Sequence, residues 1–158
     1  MAPPEELAVL FRPTLALIVG RRRRHPGESP LSSIGGYTAM NDLIGQQTLG
    51  RDGNPSRAKG YDTFAPIGPS IVPTSGVAWE ELELTARVNR LDAFALRIGD
   101  LSPSIAEALD LLWPAVSLHP GDVVAVGAGY GESTECLVQA GDLIAVTAGA
   151  SGQLLNSV

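Results

Sequence analysis

The residue types that most often perform catalysis are few in this chain, and their spacing does not favour it. The chain has one cysteine, Cys136, and two histidines, His25 and His119. Neither histidine lies near Cys136 or has the spacing of a metal site or a catalytic triad. A single cysteine also excludes an internal disulfide framework and a cysteine-based zinc cluster. We therefore expect both histidines to lie on the surface, outside any catalytic group.

A glycine-rich segment near the end of the chain could bind a phosphate. Residues 123–131 read Val-Val-Ala-Val-Gly-Ala-Gly-Tyr-Gly, which resembles the turn of a nucleotide-binding domain. However, only 27 residues follow Gly131, too few for the further βα units that such a domain needs. Glu132 also stands where the third glycine of the dinucleotide pattern is required. We interpret this segment as a loop between two strands.

Two motifs in the first half of the chain are more specific. Residues 36–42 read Gly-Tyr-Thr-Ala-Met-Asn-Asp, and residues 59–69 read Lys-Gly-Tyr-Asp-Thr-Phe-Ala-Pro-Ile-Gly-Pro. With these motifs the sequence strongly resembles the fumarylacetoacetate hydrolase family, which also includes isomerases, decarboxylases and hydratases of 2-oxo acids. The resemblance extends from about Leu15 to the end of the chain, and residues 118–125 and 140–146 are similar to later strands of the family.

The resemblance implies a fold, an assembly and a kind of site. The fold would be mainly β (α+β), a mixed β-sandwich roll with one or two short helices. Residues 1–158 would form a single domain whose N-terminal segment, residues 1–12, is poorly defined. We expect a homodimer with a small-molecule substrate. In the family, a Glu-x-Glu pair and the aspartate of Asn-Asp hold a divalent cation, which binds a 1,3-dicarbonyl compound or a 2-oxo acid.

This sequence departs from the family at the metal site. Arg12 and Thr14 stand at the Glu-x-Glu positions, so that Asp42 alone remains of the three carboxylates. Magnesium needs one or two carboxylates plus substrate oxygens, and an arginine among its ligands is repulsive. We therefore expect no cofactor, with a divalent cation such as Mg²⁺ at Asp42 as the alternative. The Arg-Asp pair that usually follows Asn-Asp is replaced by Gln46 and Gln47.

Lys59 is the only lysine of the chain and lies in the second motif. The resemblance implies that it faces a carboxylate or enolate oxygen of the substrate, and we take Lys59 and Asp42 as the candidate catalytic residues. A cation fixed there could stabilise a developing enolate without a metal. Alternatively, Lys59 only pairs with Asp42 and fixes the loop. Four residues are the candidate substrate contacts: Tyr61, Thr63, Gln46 and Tyr130.

Three classes of function remain open. The first is a metal-independent isomerase, cyclase or lyase acting on an enolisable oxo or 1,3-dicarbonyl compound. The second is a conventional metal-dependent hydrolase or decarboxylase, which the missing carboxylates oppose. The third is a non-catalytic subunit or binding module, which the same losses favour. Fold alone does not decide between them.

The elements that must position these residues are mostly strands. Residues 14–19 are continuously apolar, which predicts a strand buried on both faces. Residues 81–88 alternate between polar and apolar side chains, which predicts a strand with one solvent-exposed face. A turn at Asn89 and Arg90 would lead to a partner strand over residues 93–98. Further strands are expected over residues 34–42, 66–72 (at an edge) and 154–158.

Other segments predict turns and one helix. Residues 43–60 are polar and rich in glycine, which favours a long loop. Ser102 or Ser104 could cap a helix over residues 105–113. Two glycine turns, at which Asp122 and Asp142 would accept hydrogen bonds from turn amides, each lead into a buried strand. In all we expect eight to ten strands.

Composition and charge exclude several classes of partner. Hydrophobic residues make up 44% of the chain, which excludes a fully disordered protein. The net charge is −6, although four of the 11 basic residues are clustered at Arg21–Arg24. An acidic surface repels nucleic acids and anionic membranes, so we expect neither as a partner. We expect the arginine run to be a solvated connection. The N-terminus is acidic where a signal peptide would be basic, which favours a cytoplasmic protein.

Overall fold

The computed structural model of the protein describes residues 8–25, 27–127 and 136–158. These residues contain nine β-strands and three short α-helices. The strands are β1 Val9–Val19, β2 Ile34–Gly45, β3 Ile67–Pro73, β4 Glu83–Val88, β5 Leu91–Arg97, β6 Val123–Gly127, β7 Cys136–Val138, β8 Leu143–Ala148 and β9 Gln153–Ser157. The helices are α1 Gln46–Asp52, α2 Pro55–Lys59 and α3 Ile105–Leu112. None of these helices is long and apolar enough to cross a membrane.

The strands form two sheets that share one hydrophobic core. One sheet has the order β3-β2-β1-β6, with β7 also paired to β1, and the other has the order β5-β4-β8-β9. This architecture confirms the mainly-β α+β fold class. It differs from the expectation in two details. All pairings between the described strands are antiparallel rather than mixed, and three short α-helices are present rather than one or two.

The central strand of the first sheet is β1, with β2 on one side and β6 and β7 on the other. Its burial on both faces is confirmed, since nine of its 11 residues are buried. Because successive side chains alternate between faces, Phe11 and Leu15 join the core between the sheets, whereas Arg12 and Thr14 lie on the opposite face. The strand begins at Val9, so residues 9–12 are part of the sheet and not a poorly defined segment.

A proline in the middle of β1 is tolerated because of its place in the ladder. The N–H groups of Asn41 and Leu43 on β2 donate away from β1, at 3.1 and 3.0 Å. Pro13 lies opposite Asn41, and the two therefore form a pair without hydrogen bonds between β1 and β2. The proline nitrogen therefore points away from β2, so that the missing N–H removes no hydrogen bond between β1 and β2.

The alternating segment forms β4 as predicted. Leu84 and Ala86 are buried, whereas Thr85 between them is exposed. Asn89 and Arg90 make the turn to β5 with φ angles of 50° and 72°, a left-handed conformation that asparagine tolerates better than most residues. This hairpin confirms the predicted pair of strands, although β5 begins two residues earlier than expected.

The two glycine turns are built as the sequence predicts. Asp122 accepts a hydrogen bond from the N–H of His119 at 2.7 Å, and Asp142 accepts one from the N–H of Gln139 at 2.9 Å. The strands that follow differ from each other. β8 is mostly buried, but β6 lies at a sheet edge and is partly exposed, which corrects the prediction of a buried strand there. His119 is exposed, as is His25.

The predicted helix α3 is capped by Ser104, whose hydroxyl accepts a hydrogen bond from the N–H of Glu107 in a capping box. One residue of the arginine run, Arg23, contacts the end of this helix. Arg23 donates to Asp110 at 2.7 Å, its guanidinium lies 5.4 Å from the centre of the Trp113 ring, and its side chain is only 9% exposed. The expectation of a fully solvated connection is therefore wrong for Arg23, because α3 provides it with a carboxylate and an aromatic face.

Candidate functional site

The segment expected to be a long polar loop, residues 43–60, instead continues β2 and then forms α1 and α2. The helices have seven and five residues, too short to give a recognisable apolar period. Asn54 caps α2 by accepting a hydrogen bond from the N–H of Ser56 at 2.8 Å, and Pro55 begins the helix with a suitable φ angle. Because Asn54 and Pro55 determine where α2 begins, they also determine the position of Lys59, the last residue of this helix.

An ion pair joins α2 to α1. Arg57 donates two hydrogen bonds to the carboxylate of Asp52, at 2.6 and 2.5 Å. The hydrogen bond from Arg57 is the main reason that the pKa of Asp52 lies below its ordinary value, and Arg51 adds to the effect. This bidentate contact holds the two helices together on the surface and limits the positions that Lys59 can adopt.

Lys59 and Asp42 are in direct contact. The Lys59 ammonium donates to Oδ2 of Asp42 at 2.6 Å, with the side chains 34% and 13% exposed. Asp42 comes from the middle of the sheet and Lys59 from the end of a surface helix, so the contact joins α2 to β2. The ammonium is thus fixed in space while still open to solvent. This is the ion pair that both interpretations of Lys59 require.

Arg12 and Thr14 lie next to this pair. Arg12 is directly opposite Asp42 in the register of β1 and β2, so the two side chains lie on the same face of the sheet. Arg12 is 9% exposed and Thr14 is 4% exposed. The Thr14 hydroxyl donates to the main-chain oxygen of Arg12 at 3.2 Å. The two positions of the family glutamates therefore hold a buried cation and a hydroxyl that bonds within its own strand.

These residues do not fit a divalent cation. Asp42 is a carboxylate already engaged by an ammonium, and the residue opposite it in the register of β1 and β2 is an arginine, Arg12. Within residues 8–25, 27–127 and 136–158, no group of three or more histidine, cysteine, aspartate or glutamate side chains could hold a metal ion. Magnesium is bound by carboxylates and other oxygen ligands, and nearby fixed cations oppose its binding.

Tyr61 is half-buried and contacts α1. Its hydroxyl shares a hydrogen bond of 2.7 Å with the hydroxyl of Thr48, and its ring meets the edge of Phe64 with 5.2 Å between centroids. Thr48 is only 1% exposed, although sequence reasoning did not single it out. Its position in a short polar helix gave no sign that it would be buried. The tyrosine that we predicted to contact substrate also supports the helix pair.

Thr63 lies at the mouth of a cavity. It helps to line a cavity of about 450 Å³ together with Leu43, Phe64, Pro66 and residues 155–158. Leu43 faces the core side of β2, opposite to Asp42. Thr63 has a φ of 70°, which is unusual for a β-branched residue. The residues that line this cavity do not include Lys59 or Asp42, and the proposed contact of Thr63 with substrate stays a prediction.

Of the two remaining candidate substrate contacts, Gln46 and Tyr130, the structure describes only Gln46. Gln46 is exposed at the start of α1, where its N–H donates to the main-chain oxygen of Ala8 at 3.4 Å. Tyr130 lies outside the described residues. The structure thus brings Lys59 and Asp42 into contact, and the roles of the other candidates stay predictions.

A buried amide pair supports Asp42 from the core side. Asn41, which is fully buried, donates to Oδ1 of Asn156 on β9 at 2.6 Å. This hydrogen bond crosses from the first sheet to the second, one residue from Asp42. Sequence reasoning placed Asn41 in the motif but did not predict its partner, because the partner is 115 residues away.

Comparison with known proteins supports one family for the whole chain. The family model described as fumarylacetoacetate (FAA) hydrolase C-terminal matches residues 2–158. Protein Rv2993c of Mycobacterium tuberculosis is 31% identical over 159 residues, which cover 99% of this chain and 58% of that protein. Oxaloacetate tautomerase YisK of Bacillus subtilis is 29% identical over 150 residues, which cover 91% of this chain and 50% of that protein.

A solved structure gives the same result for the fold. The crystal structure of 5-carboxymethyl-2-hydroxymuconate delta-isomerase from Mycobacterium smegmatis matches with a TM-score of 0.87 and 30% identity, over 99% of this chain and 61% of that chain. The chain therefore spans half to about three fifths of the length of these three relatives.

Proposed function

The chain belongs to the fumarylacetoacetate hydrolase family, and from this premise we propose that it isomerises an enolisable oxo acid without a bound divalent cation. Two relatives support the class of reaction, since one is named an oxaloacetate tautomerase and the other a hydroxymuconate delta-isomerase. Tautomerisation moves a proton within one molecule, so it needs no oxidant, reductant or second substrate. Cyclase or lyase chemistry would begin from the same enolate.

The observation that carries this proposal is the contact of Lys59 with Asp42. An enolate develops negative charge on oxygen, and a positively charged donor that is already in place stabilises that charge without reorganisation. Asp42 holds the ammonium at 2.6 Å, and α2 sets the direction from which it approaches. Lys59 would therefore donate to the enolate oxygen, with Asp42 keeping the ammonium in position.

The other candidate residues would surround the substrate. Gln46 and Tyr61 belong to the segment that also carries Lys59, and we assign them to contacts with the remainder of the substrate. Thr63 and Tyr130 are retained as proposed contacts from neighbouring loops. We also propose that the protein acts on small molecules in the cytoplasm and binds neither nucleic acid nor membrane.

The test is conversion of enol-oxaloacetate to its keto form, followed by the loss of ultraviolet absorbance of the enol in buffer with EDTA. Wild-type protein should accelerate the conversion over the buffer rate. Lys59→Ala should lower the rate by about 10²-fold or more, the scale seen when one preorganised donor is removed. Arg87→Ala is the control, because Arg87 is a cation that likewise pairs with a carboxylate, Asp92, but lies on β4 of the other sheet.

The control should retain the wild-type rate. Full activity in Lys59→Ala, with its fold confirmed by circular dichroism, would contradict the assignment of Lys59. If wild-type protein accelerates neither this reaction nor the isomerisation of other unsaturated oxo acids, the proposed function is wrong.

A non-catalytic binding module is the second candidate. It is favoured by the same contact, because a lysine that is fully used in an ion pair need not meet a substrate. In that case Lys59→Ala would lower the melting temperature and would leave the binding of any ligand unchanged.

A further inference from the structure

The cavity of about 450 Å³ that Thr63 lines also extends along β9, the last strand of the second sheet. Residues 155–158, at the end of β9 and directly after it, all line this cavity. Because side chains alternate between the two faces of a strand, a cavity that touches consecutive residues runs along the edge of the strand. The edge in question is the free one, since β8 pairs with the other. Main-chain groups of β9 are therefore part of the cavity wall.

The hydrogen bonds between β8 and β9 show which main-chain groups these are. The N–H of Val158 donates to the main-chain oxygen of Asp142, just before β8, at 2.9 Å. Hydrogen-bonded and other pairs alternate along an antiparallel ladder, so in this register the N–H and C=O groups of Leu155 and Ser157 point away from β8. The described part of the chain gives these groups no hydrogen-bond partner. The free edge thus offers donors and acceptors in alternation.

The Asn156 side chain adds a polar group with a fixed orientation. Its Oδ1 accepts a hydrogen bond of 2.6 Å from Asn41, which is fully buried. Because Oδ1 is used in this way, Asn156 offers its Nδ2 donor to the cavity that it lines. An amide that a buried partner already holds loses little further freedom when it binds a ligand.

The wall provided by β2 and the loop after α2 is mostly apolar. Leu43 and Phe64 are only 6% and 2% exposed, and Pro66 also lines the cavity. Among the described residues that line it, none has a charged side chain. Cavities of this size, with mostly apolar walls and a few fixed polar groups, are typical of small-molecule sites. An anion would meet no side-chain cation of this wall, which favours a neutral ligand.

We propose that this cavity binds a small neutral molecule in which an amide group is next to an apolar group. A secondary amide supplies one N–H and one C=O, and these match the free edge of β9 as a neighbouring strand would. The apolar group would pack against Leu43 and Phe64. Such a ligand differs from the anionic oxo acid of the proposed function, and the cavity lining does not include Lys59. The site is therefore additional to the one at Lys59.

N-methylisovaleramide is the probe, because it is neutral and joins one secondary amide to an isobutyl group. A titration followed by NMR should give saturable shifts for the N–H groups of Leu155 and Ser157 and for the side-chain amide of Asn156. Ser157→Pro removes one donor of the free edge and should weaken binding about fivefold, the scale of one neutral hydrogen bond. Gln153→Pro is the matched control and should bind as wild type does, because the Gln153 N–H also points away from β8 but lies outside the cavity.

Two analogues of the probe test the ligand class without any change to the protein. Methyl isovalerate lacks the amide N–H, and isovalerate is an anion, so that both should bind more weakly than the amide. Equal or tighter binding of either one would overturn the assignment to a neutral amide. If melting curves show that Ser157→Pro is unfolded, these analogues decide.

The location of the site is overturned by an absence of saturable shifts in wild-type protein, or by wild-type affinity in folded Ser157→Pro. A second copy of the chain is the competing occupant of this edge. If the probe does not bind and Ser157→Pro converts a dimer into a monomer in light scattering, the edge is a subunit interface and the inference is wrong.

Discussion

The residues at the two positions of the family glutamates change the chemistry available to Asp42. With glutamates there, an aspartate would complete a set of oxygen ligands for a cation. Here Arg12 lies opposite the aspartate on β1, and Lys59 donates to it from α2. Asp42 is thus paired with a cation of the protein itself, Lys59. In the reaction that we propose, the positive charge that stabilises the enolate comes from this ammonium, whose position the fold determines.

Replacement of Lys59 by arginine tests how closely this position is defined. The ammonium lies 2.6 Å from Asp42 and is only 34% exposed, which suits a compact charge. We expect Lys59→Arg to keep the ion pair and the melting temperature but to lose most of the turnover, because a planar fork directs its donors differently. Turnover and melting temperature are measured on the same preparation. Wild-type turnover in Lys59→Arg would show that any cation suffices there.

Sequence reasoning at this scale identified the contact but not its surroundings. Lys59 and Asp42 could be predicted as candidate catalytic residues because both lie in specific motifs. Thr48 was missed because a hydroxyl in a short polar helix carries no signal of burial. Asn156 was missed as a support of Asp42 because its contact joins two sheets across 115 residues. A candidate site residue can be predicted from sequence when it belongs to a specific motif. The side chains that contact it from a distant element cannot be predicted in this way.

At the scale of elements, the connection after β1 shows how local charges contribute to stability. The pKa of Glu28 is lowered from 4.5 to about 2, mainly by the side-chain hydrogen bond from Arg21 and next by the N–H of Arg24. A carboxyl whose pKa falls on folding stabilises the protein above its unfolded pKa. This contribution is therefore complete at neutral pH and is lost as the pH falls from about 4.5 towards 2.

The variant Glu28→Gln should reveal this pH window. We expect it to be less stable than wild-type protein at pH 7, with a difference that shrinks below about pH 4.5 as the wild-type carboxylate becomes protonated. Urea denaturation at a series of pH values measures the difference. Glu83→Gln, at an exposed position of β4, is the control. A difference that is the same at every pH would contradict the assigned ion pair.

The elements that could be predicted from the sequence are those with a sustained pattern. The alternation of β4, the apolar run of β1 and the capped helix α3 all gave such patterns. The helices α1 and α2 did not, because seven and five residues give too few turns for a period to be seen. The capping residue Asn54 and the following Pro55 were the available signals for α2.

At the scale of the whole molecule, exposed apolar side chains suggest a partner surface. Ile67 and Ile71 on the edge strand β3 are 44% and 57% exposed, and Leu155 on β9 is 58% exposed. Edge strands with unpaired backbone groups tend to be covered. We predict a homodimer, which light scattering at micromolar concentration would detect as twice the mass of the chain. A monomer mass under those conditions would contradict the prediction.

The fold class was predictable at this scale because the strand patterns and the family motifs agreed. The antiparallel pairing of the strands was not, since apolar runs indicate burial but do not give the direction of a neighbour. The contact of Asp42 on β2 with Lys59 also depends on α2, a helix in a segment that sequence reasoning described as a loop.

The central claim is that a fixed side-chain cation, and not a divalent metal, stabilises the enolate. The most direct measurement is the rate of enol-oxaloacetate tautomerisation as Mg²⁺ is raised from an EDTA-treated sample to millimolar concentration. With Lys59 held by Asp42 and Arg12 at a former glutamate position, we predict a rate that is already maximal in EDTA and does not rise with Mg²⁺. A rate that is negligible in EDTA and increases to saturation with Mg²⁺ would contradict the account.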